Sequence, residues 1–227
     1  MTVWPVLPAS GVGSRMQAQC PKQYLTLHGR YLLDHTLDRI LSYPAFSQVV
    51  LVLAQDDTYF PNSQFANDTR IVRATGGSER CYSVLNGLKA LTGLAKPDDW
   101  VLVHDVARPC LHHSDLDKLL AGLGEQGAIL ASPVRDTMKR AKTGRCEIDH
   151  TVERQGLWHA LTPQVFRYEA LQQALEQALA QGFEVTDEAS AMEFAGWPVN
   201  QVEGRADNIK VTRPEDLALA EFFLNRI

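Results

Sequence analysis

Val3-Trp4-Pro5-Val6-Leu7-Pro8-Ala9-Ser10-Gly11-Val12-Gly13-Ser14-Arg15-Met16 begins with a strand-length apolar run, Val3–Leu7, that passes straight into a loop of small residues and glycine. In a parallel sheet, ligands bind beyond the carboxyl ends of the strands, where backbone amides can point at phosphate oxygens. Glycine and small side chains let the backbone approach such a ligand closely. The same composition suits a tight turn between a strand and the next element, so the stretch alone leaves both readings open.

Two common nucleotide motifs fail here. A dinucleotide fingerprint needs a third glycine three residues after Gly13, where Met16 stands, and an acid ending the second strand; Asp34 has the distance but falls inside a helical pattern. A Walker loop needs Gly-Lys-Ser/Thr, which is missing. Instead the loop carries Arg15 and, after Cys20-Pro21, Lys22. Pro21 stops a long helix from starting at the loop. Each cation alone reads as a solvated charge. Paired around a phosphate loop, they suit neutralising a triphosphate and stabilising a transferring phosphoryl group.

Working outward, strand-length apolar runs alternate with helical periods. Leu33, Leu37, Ile40 and Leu41 share one helix face. Val49–Leu53 is a continuous Val/Leu run, expected for a strand buried on both faces. Ile71–Ala74 is a strand candidate, followed by a stripe at Cys81, Val84, Leu85, Leu88 and Leu91. Trp100–His104 is another buried strand. Ser114 is expected to cap a helix carrying Leu116, Leu119, Leu120 and Leu123, with Gly124 as its stop. Ala128–Ala131 restarts the sheet. Leu171, Ala174, Leu175, Ala178 and Leu179 form a helix ended by Gly182. Thr212-x-x-Glu215 predicts a capping box for the last helix, with Pro214 in its first turn. The pattern predicts one α/β domain over residues 1–227 with a mostly parallel sheet and helices on both faces.

Pro133 to about Gly156 breaks this rhythm. It is charged and alternating, with a turn around Thr143-Gly144, and reads as a β-hairpin. Its apolar positions are too sparse for a core of its own, leaving an arm that packs on a second subunit or a solvent-exposed excursion.

Hydrophobic residues make up 45% and charged residues 22% of the chain, as in an ordinary globular protein, and the net charge of −5 argues against a broad nucleic-acid-binding face. The four cysteines, Cys20, Cys81, Cys110 and Cys146, form no CxxC pair, so neither a zinc cluster nor a disulfide framework is expected. Scattered reduced thiols suit a cytosolic enzyme. No apolar run approaches membrane-spanning length and no signal-peptide pattern opens the chain.

Further constellations carry chemistry. Asp105 ends the Val101–His104 run, where a carboxylate can hold Mg²⁺ beside substrate phosphates or serve as a turn acid. Gly76-Gly77-Ser78-Glu79-Arg80 starts a helix whose amides can bind an anion or a base, or is a flexible turn. Asp207 and Lys210 precede the last helix, where surface salt-bridging is the plainer alternative. His112-His113 reads as solvated and carries no role. No HExxH or Ser/His/Asp pattern supports hydrolytic or zinc chemistry.

These motifs occur in order: Pro8–Met16, Pro21-Lys22-Gln23-Tyr24-Leu25, Gly76-Gly77 with Arg80 and Ser83, and His104-Asp105-Val106-Ala107-Arg108-Pro109. Asp136-Thr137, Arg154, Leu161-Thr162-Pro163-Gln164, Thr186-Asp187-Glu188-Ala189 and Asp207–Thr212 follow. Together, over essentially the whole chain, they resemble the 2-C-methyl-D-erythritol 4-phosphate cytidylyltransferases of the non-mevalonate isoprenoid pathway. Ser10 stands where that family often has alanine, and Val106 where alanine is commoner.

The resemblance implies a glycosyltransferase-A-like nucleotidyltransferase fold and a cytoplasmic homodimer with interlocking hairpin arms. It implies CTP, a polyol phosphate and Mg²⁺ (or another divalent metal) as substrates and cofactor. Arg15 and Lys22 would stabilise the transition state at the α-phosphate. Pro8, Ala9, Ser10, Gly11, Gly77, Arg80, Ser83, Asp105 and Ala107 would hold CTP, with Asp105 at the metal. Arg108, Asp136, Thr137, Arg154, Thr186 and Lys210 would bind the acceptor, Arg154 and Lys210 positioning its phosphate. Turnover of another polyol phosphate such as ribitol 5-phosphate, a non-catalytic CTP-binding module and a nicotinamide dehydrogenase are the competing readings, the last weakened by Met16.

Overall fold

The structure, a computed structural model, describes residues 1–11, 13, 16 and 20–227. The chain runs β1 (Val3–Pro8), β2 (Thr26–Leu27), β3 (Arg30–Tyr31), α1 (Leu32–Leu41), β4 (Val49–Leu53), β5 (Ile71–Thr75), α2 (Arg80–Lys89), β6 (Trp100–Val103) and α3 (His113–Ala121). It continues through β7 (Gly127–Pro133), β8 (Met138–Ala141), β9 (Ile148–Val152), β10 (Trp158–Arg167), α4 (Tyr168–Ala180), α5 (Glu188–Phe194), β11 (Asn200–Glu203) and α6 (Glu215–Leu224).

Seven strands form one sheet in the order β11-β7-β10-β6-β1-β4-β5. β6, β1, β4 and β5 run parallel, as do β11 and β7, whereas β10 runs antiparallel to both β6 and β7. The two-residue side-chain period divides β4 between two cores. Val49, Leu51 and Leu53 pack with α1 and α3, while Val50 and Val52 pack with α2, α4 and α5. Every β4 residue is therefore buried, as its sequence predicts. α6 covers a third cluster around Met16, Leu27, Leu32 and Val211.

β8 and β9 form the expected hairpin, paired from Met138↔Val152 to Ala141↔Ile148, with Gly144 at positive φ in the turn. The arm is exposed: Met138 retains 37% and Ile148 63% of its accessible surface.

Several local expectations need correction. The Trp100–His104 strand ends at Val103. α3 is capped by His112, whose carbonyl accepts from the Asp115 and Leu116 amides, so the helix starts ahead of Ser114. It stops at Gly122; Gly124 instead donates to Gly127 and packs beside Asn200. The Thr212–Glu215 capping box does not form. Asp216 Oδ2 accepts from the Thr212 amide and hydroxyl and the Arg213 amide, satisfying the same donors from one residue further on. A capping box does stand at α5, between Asp187 and Ser190. His112 and His113 are half-buried rather than solvated, His112 beside Asp207 and His113 bonded to the Arg39 carbonyl. No helix among the described residues is long and apolar enough to cross a membrane.

Candidate active site

Because β6 is flanked by β1 and β10, the residues after its carboxyl end are carried to the centre of the sheet's upper edge. Asp105 stands there, 6% exposed. Its Oδ1 accepts from Arg80 Nε at 2.9 Å and its Oδ2 lies 2.7 Å from Lys210 Nζ and 4.0 Å from Arg108 Nε. Burial alone would raise the carboxyl's pKa, but Arg80, Lys210 and Arg108 hold it well below the usual carboxylate range, so it is ionised.

Arg80 opens α2, and its Nη1 and Nη2 donate to the two oxygens of Glu188 at 2.6 and 3.0 Å. Burial pulls its pKa down, but Glu188 and Asp105 outweigh that and raise it. Arg108 donates from Nη1 to the Asn208 carbonyl at 2.6 Å, and its buried Nε has no hydrogen-bond partner among the described residues. Burial lowers the Arg108 pKa.

A fully buried relay backs the Asp105 loop. The Asp105 amide donates to Thr162 Oγ1 at 3.1 Å, Thr162 Oγ1 lies 3.0 Å from His104 Nδ1, and His104 Nε2 lies 3.1 Å from the Arg108 carbonyl. A carbonyl can only accept, so Nε2 carries the imidazole proton and Nδ1 accepts from the threonine hydroxyl. Burial pushes the His104 pKa down to about 4, which keeps this tautomer neutral.

The opposite wall is the loop after β1. The Ala9 carbonyl accepts from the buried Gln23 Nε2 at 2.6 Å, and Ser10 Oγ lies 2.8 Å from Ser83 Oγ. Ser83 Oγ also accepts from the Gly77 amide and donates to the Glu79 carbonyl, each at 3.0 Å. Ser83 therefore fastens the two loops together from beneath. Gly13, at φ +67, lies against the Lys22 stem, where a Cβ would come within 2.8 Å of it. Lys22 Nζ reaches the Val211 carbonyl at 3.4 Å, and the Val211 amide donates to Ala107, which ties the loop carrying Lys210 to the one carrying Asp105.

These walls enclose two cavities. The larger, about 430 Å³, is lined by Pro8, Ala9, Ser10, Gly11, Lys22, Gly77, Arg80, Asp105, Ala107 and Lys210 among others. The smaller, about 280 Å³, is lined by Arg80, Asp105, Arg108, Thr162, Thr186, Asp187 and Lys210 among others. Ten of the residues expected at the site thus line the first cavity, and Arg108 and Thr186 the second. Ser83 lies behind the lining. Asp136, Thr137 and Arg154 line neither cavity: they sit on the exposed arm, where Arg154 donates to the Arg135 carbonyl. Arg15 lies outside the described residues.

Among the described residues Asp105 is the one carboxylate lining both cavities. Among the described residues no group of three or more His, Cys, Asp or Glu side chains could hold a metal. Magnesium commonly uses one carboxylate plus substrate phosphates, and an ionised Asp105 at the junction fits that donor set.

Sequence reasoning missed Glu188, Gln23, Thr162 and Gln164 as supporting residues. Gln164 Nε2 donates to Asp187 while its Oε1 accepts from the Ala189 amide, clamping the start of α5 to β10. The Asp187-x-x-Ser190 spacing was a readable signal for that helix start; nothing local pairs Glu188 with Arg80.

A family model described as IspD, 2-C-methyl-D-erythritol 4-phosphate cytidylyltransferase, matches residues 3–226. The chain is 55% identical over 223 residues to the protein of that name from Vibrio vulnificus (strain CMCP6), covering 97% of this chain and 94% of that one. It is 57% identical over 221 residues to that from Haemophilus influenzae (strain PittGG), covering 97% and 96%. The crystal structure of the Francisella tularensis cytidylyltransferase superposes with a TM-score of 0.85 at 33% identity, covering 98% of this chain and all of that one.

Proposed function

Because the chain belongs to the 2-C-methyl-D-erythritol 4-phosphate cytidylyltransferase family and transfers CMP from CTP to that polyol phosphate, we propose that its two cavities are the nucleotide and acceptor halves of one site. The reaction gives 4-diphosphocytidyl-2-C-methyl-D-erythritol and pyrophosphate. What supports the assignment is that Arg80, Asp105 and Lys210 line both cavities, so molecules in the two halves meet at Lys210.

CTP occupies the larger cavity, its base and ribose against the backbone of Pro8–Gly11 and Gly77 and its triphosphate toward Lys22 and Lys210. The acceptor occupies the smaller cavity against Arg108 and Thr186. An acceptor phosphate oxygen attacks the α-phosphorus in line, one P–O bond forms, the bond to the β-phosphate bridging oxygen breaks, and pyrophosphate leaves. The nucleophile is already ionised, so no general base is needed; acceleration comes from positioning and from offsetting charge. Lys22 and Lys210 supply that positive charge, and the family resemblance adds Arg15. Mg²⁺ or another divalent ion, held by Asp105 and the nucleotide phosphates, would offset triphosphate charge.

The whole chain acts as one catalytic domain whose arm, at about 133–156, crosses to a second copy. Asp136, Thr137 and Arg154 then serve the neighbouring acceptor site, which accounts for their distance from both cavities in their own chain. The four free thiols suit a cytoplasmic enzyme.

Mixing two inactive variants tests the arrangement. Arg154→Ala and Lys210→Ala, co-refolded in equal amounts, should recover about a quarter of wild-type activity, because half of the dimers then carry one intact composite site. No recovery in demonstrably mixed dimers would mean that the arm does not serve its neighbour.

A further inference from the structure

We propose that Glu188 is a positioning residue for the transfer: it holds Arg80 so that Asp105 keeps one oxygen for Lys210. Glu188 is fully buried and lines neither cavity, so it has no route to substrate. Both of its carboxylate oxygens are spent on Arg80, Oε1 with Nη1 and Oε2 with Nη2.

A guanidinium can grip a carboxylate end-on through its two η nitrogens or side-on through Nε and one η nitrogen. Glu188 takes the end-on grip and thereby sets the plane of the group. Asp105 then receives a single bond, from Nε to Oδ1, and Oδ2 is left to Lys210 at 2.7 Å. Without the Glu188 charge, Arg80 is released to turn side-on and clamp both oxygens of Asp105. Lys210 then loses the partner that holds its ammonium at the junction of the cavities. A carboxylate with no partner other than Arg80 among the described residues, lining neither cavity, is costly to bury unless its geometry is used. The geometry used here is the orientation of Arg80.

The inference rests on Lys210 acting in the transfer, so Lys210→Ala is measured alongside: full turnover by that variant sinks the site assignment itself, whatever Glu188 does. With Lys210→Ala inactive, Glu188→Gln is expected to lower kcat about 10-fold or more while the KM for CTP and for the acceptor each move less than about 3-fold. A purely structural role would lower the active fraction instead, leaving the kcat of active-site-titrated enzyme unchanged. In the Arg80→Met background there is no clamp to release, so adding Glu188→Gln should change kcat by less than about 3-fold. Arg80→Met strands Glu188, whose two oxygens both bond Arg80. If either single variant fails to fold, Glu188→Asp, which keeps the charge but shortens its reach to Arg80, should still lower the kcat of titrated enzyme about 3-fold or more, and wild-type kcat there would overturn the proposal. Wild-type kcat in folded Glu188→Gln, or a further loss in the Arg80→Met background, would overturn the proposal.

Discussion

Lys210 Nζ stands 2.7 Å from Asp105 Oδ2, joining the loop after β11 to the carboxyl end of β6. β11 lies three strands from β6 in the sheet, so this contact depends on the loop after β11 returning across β7 and β10. The hydrogen bond from the Val211 amide to the Ala107 carbonyl and that from Asn208 Nδ2 to the Thr162 carbonyl hold it there. The lysine is thus fixed before any substrate arrives, which is the condition for an electrostatic donor to act without reorganisation.

Lys210→Ala should therefore lower kcat by about 10²–10³-fold, as should Lys22→Ala, with the fold retained. Asp105 keeps Arg80 and Arg108 beside it when Lys210 is lost. Pyrophosphate release with CTP and the methylerythritol phosphate, together with far-ultraviolet circular dichroism, measures both halves of this expectation.

The His104 relay makes stability depend on pH. The folded protein takes up the His104 proton only near pH 4, whereas the unfolded chain does so near 6.5. Between these values the unfolded state binds more protons, so stability falls as pH drops, by a total on the order of 3 kcal/mol. Urea unfolding of the ligand-free enzyme from pH 7 to 4.5 should show a slope that Thr162→Val, which removes the bond to Nδ1, and His104→Gln both alter. A wild-type slope in His104→Gln would assign the pH dependence to other groups.

Gly76 faces Ser10 between the loops after β5 and β1, and a Cβ at position 76 would overlap the Ser10 side chain. Gly76→Ala should push the loops apart and raise the KM for CTP by about 10-fold or more, leaving the acceptor KM nearly unchanged. Ser10→Gly removes the obstructing atoms, so the double variant should regain most of the lost affinity. Steady-state kinetics on the four proteins, varying CTP and the acceptor in turn, read both constants.

Asp216 holds three donors ahead of α6. Asp216→Ala should cost about 1–2 kcal/mol of stability, the range of a helix cap, and lower the thermal midpoint by a few degrees. Glu215→Ala, at the position where the sequence pattern expects the cap partner, should leave the midpoint within about one degree.

The alternation of strands and helices, the buried β4, the hairpin arm and the glycine loop were legible because each rests on periodicity or turn chemistry within some ten residues. The motifs around Ala9, Gly77, Asp105 and Lys210 mark residues that line the larger cavity. β10, β11 and α5 were not predicted as elements. β10 carries Pro163 in the midst of its run, and its pairing with β7 is interrupted between Ala160 and Gln164, so no clean two-residue alternation marks it. Thr212-x-x-Glu215 matches a capping motif, but Asp216, one residue on, takes the donors that motif would satisfy.

From its residues alone, then, this protein is determined to be an α/β chain whose first strand opens into a glycine-rich loop followed by Arg15 and Lys22, and through the resemblance carried by its motifs a cytidylyltransferase. Only the tertiary structure decided that β10 enters between β6 and β7 against the parallel run, that Glu188 fixes Arg80, and that Asp105 is shared between Arg80 and Lys210. The physical reason is range. Hydrophobic period and turn chemistry act between neighbours in the chain, whereas these ion pairs join residues whose separation in sequence is bridged only by the order of strands in the sheet.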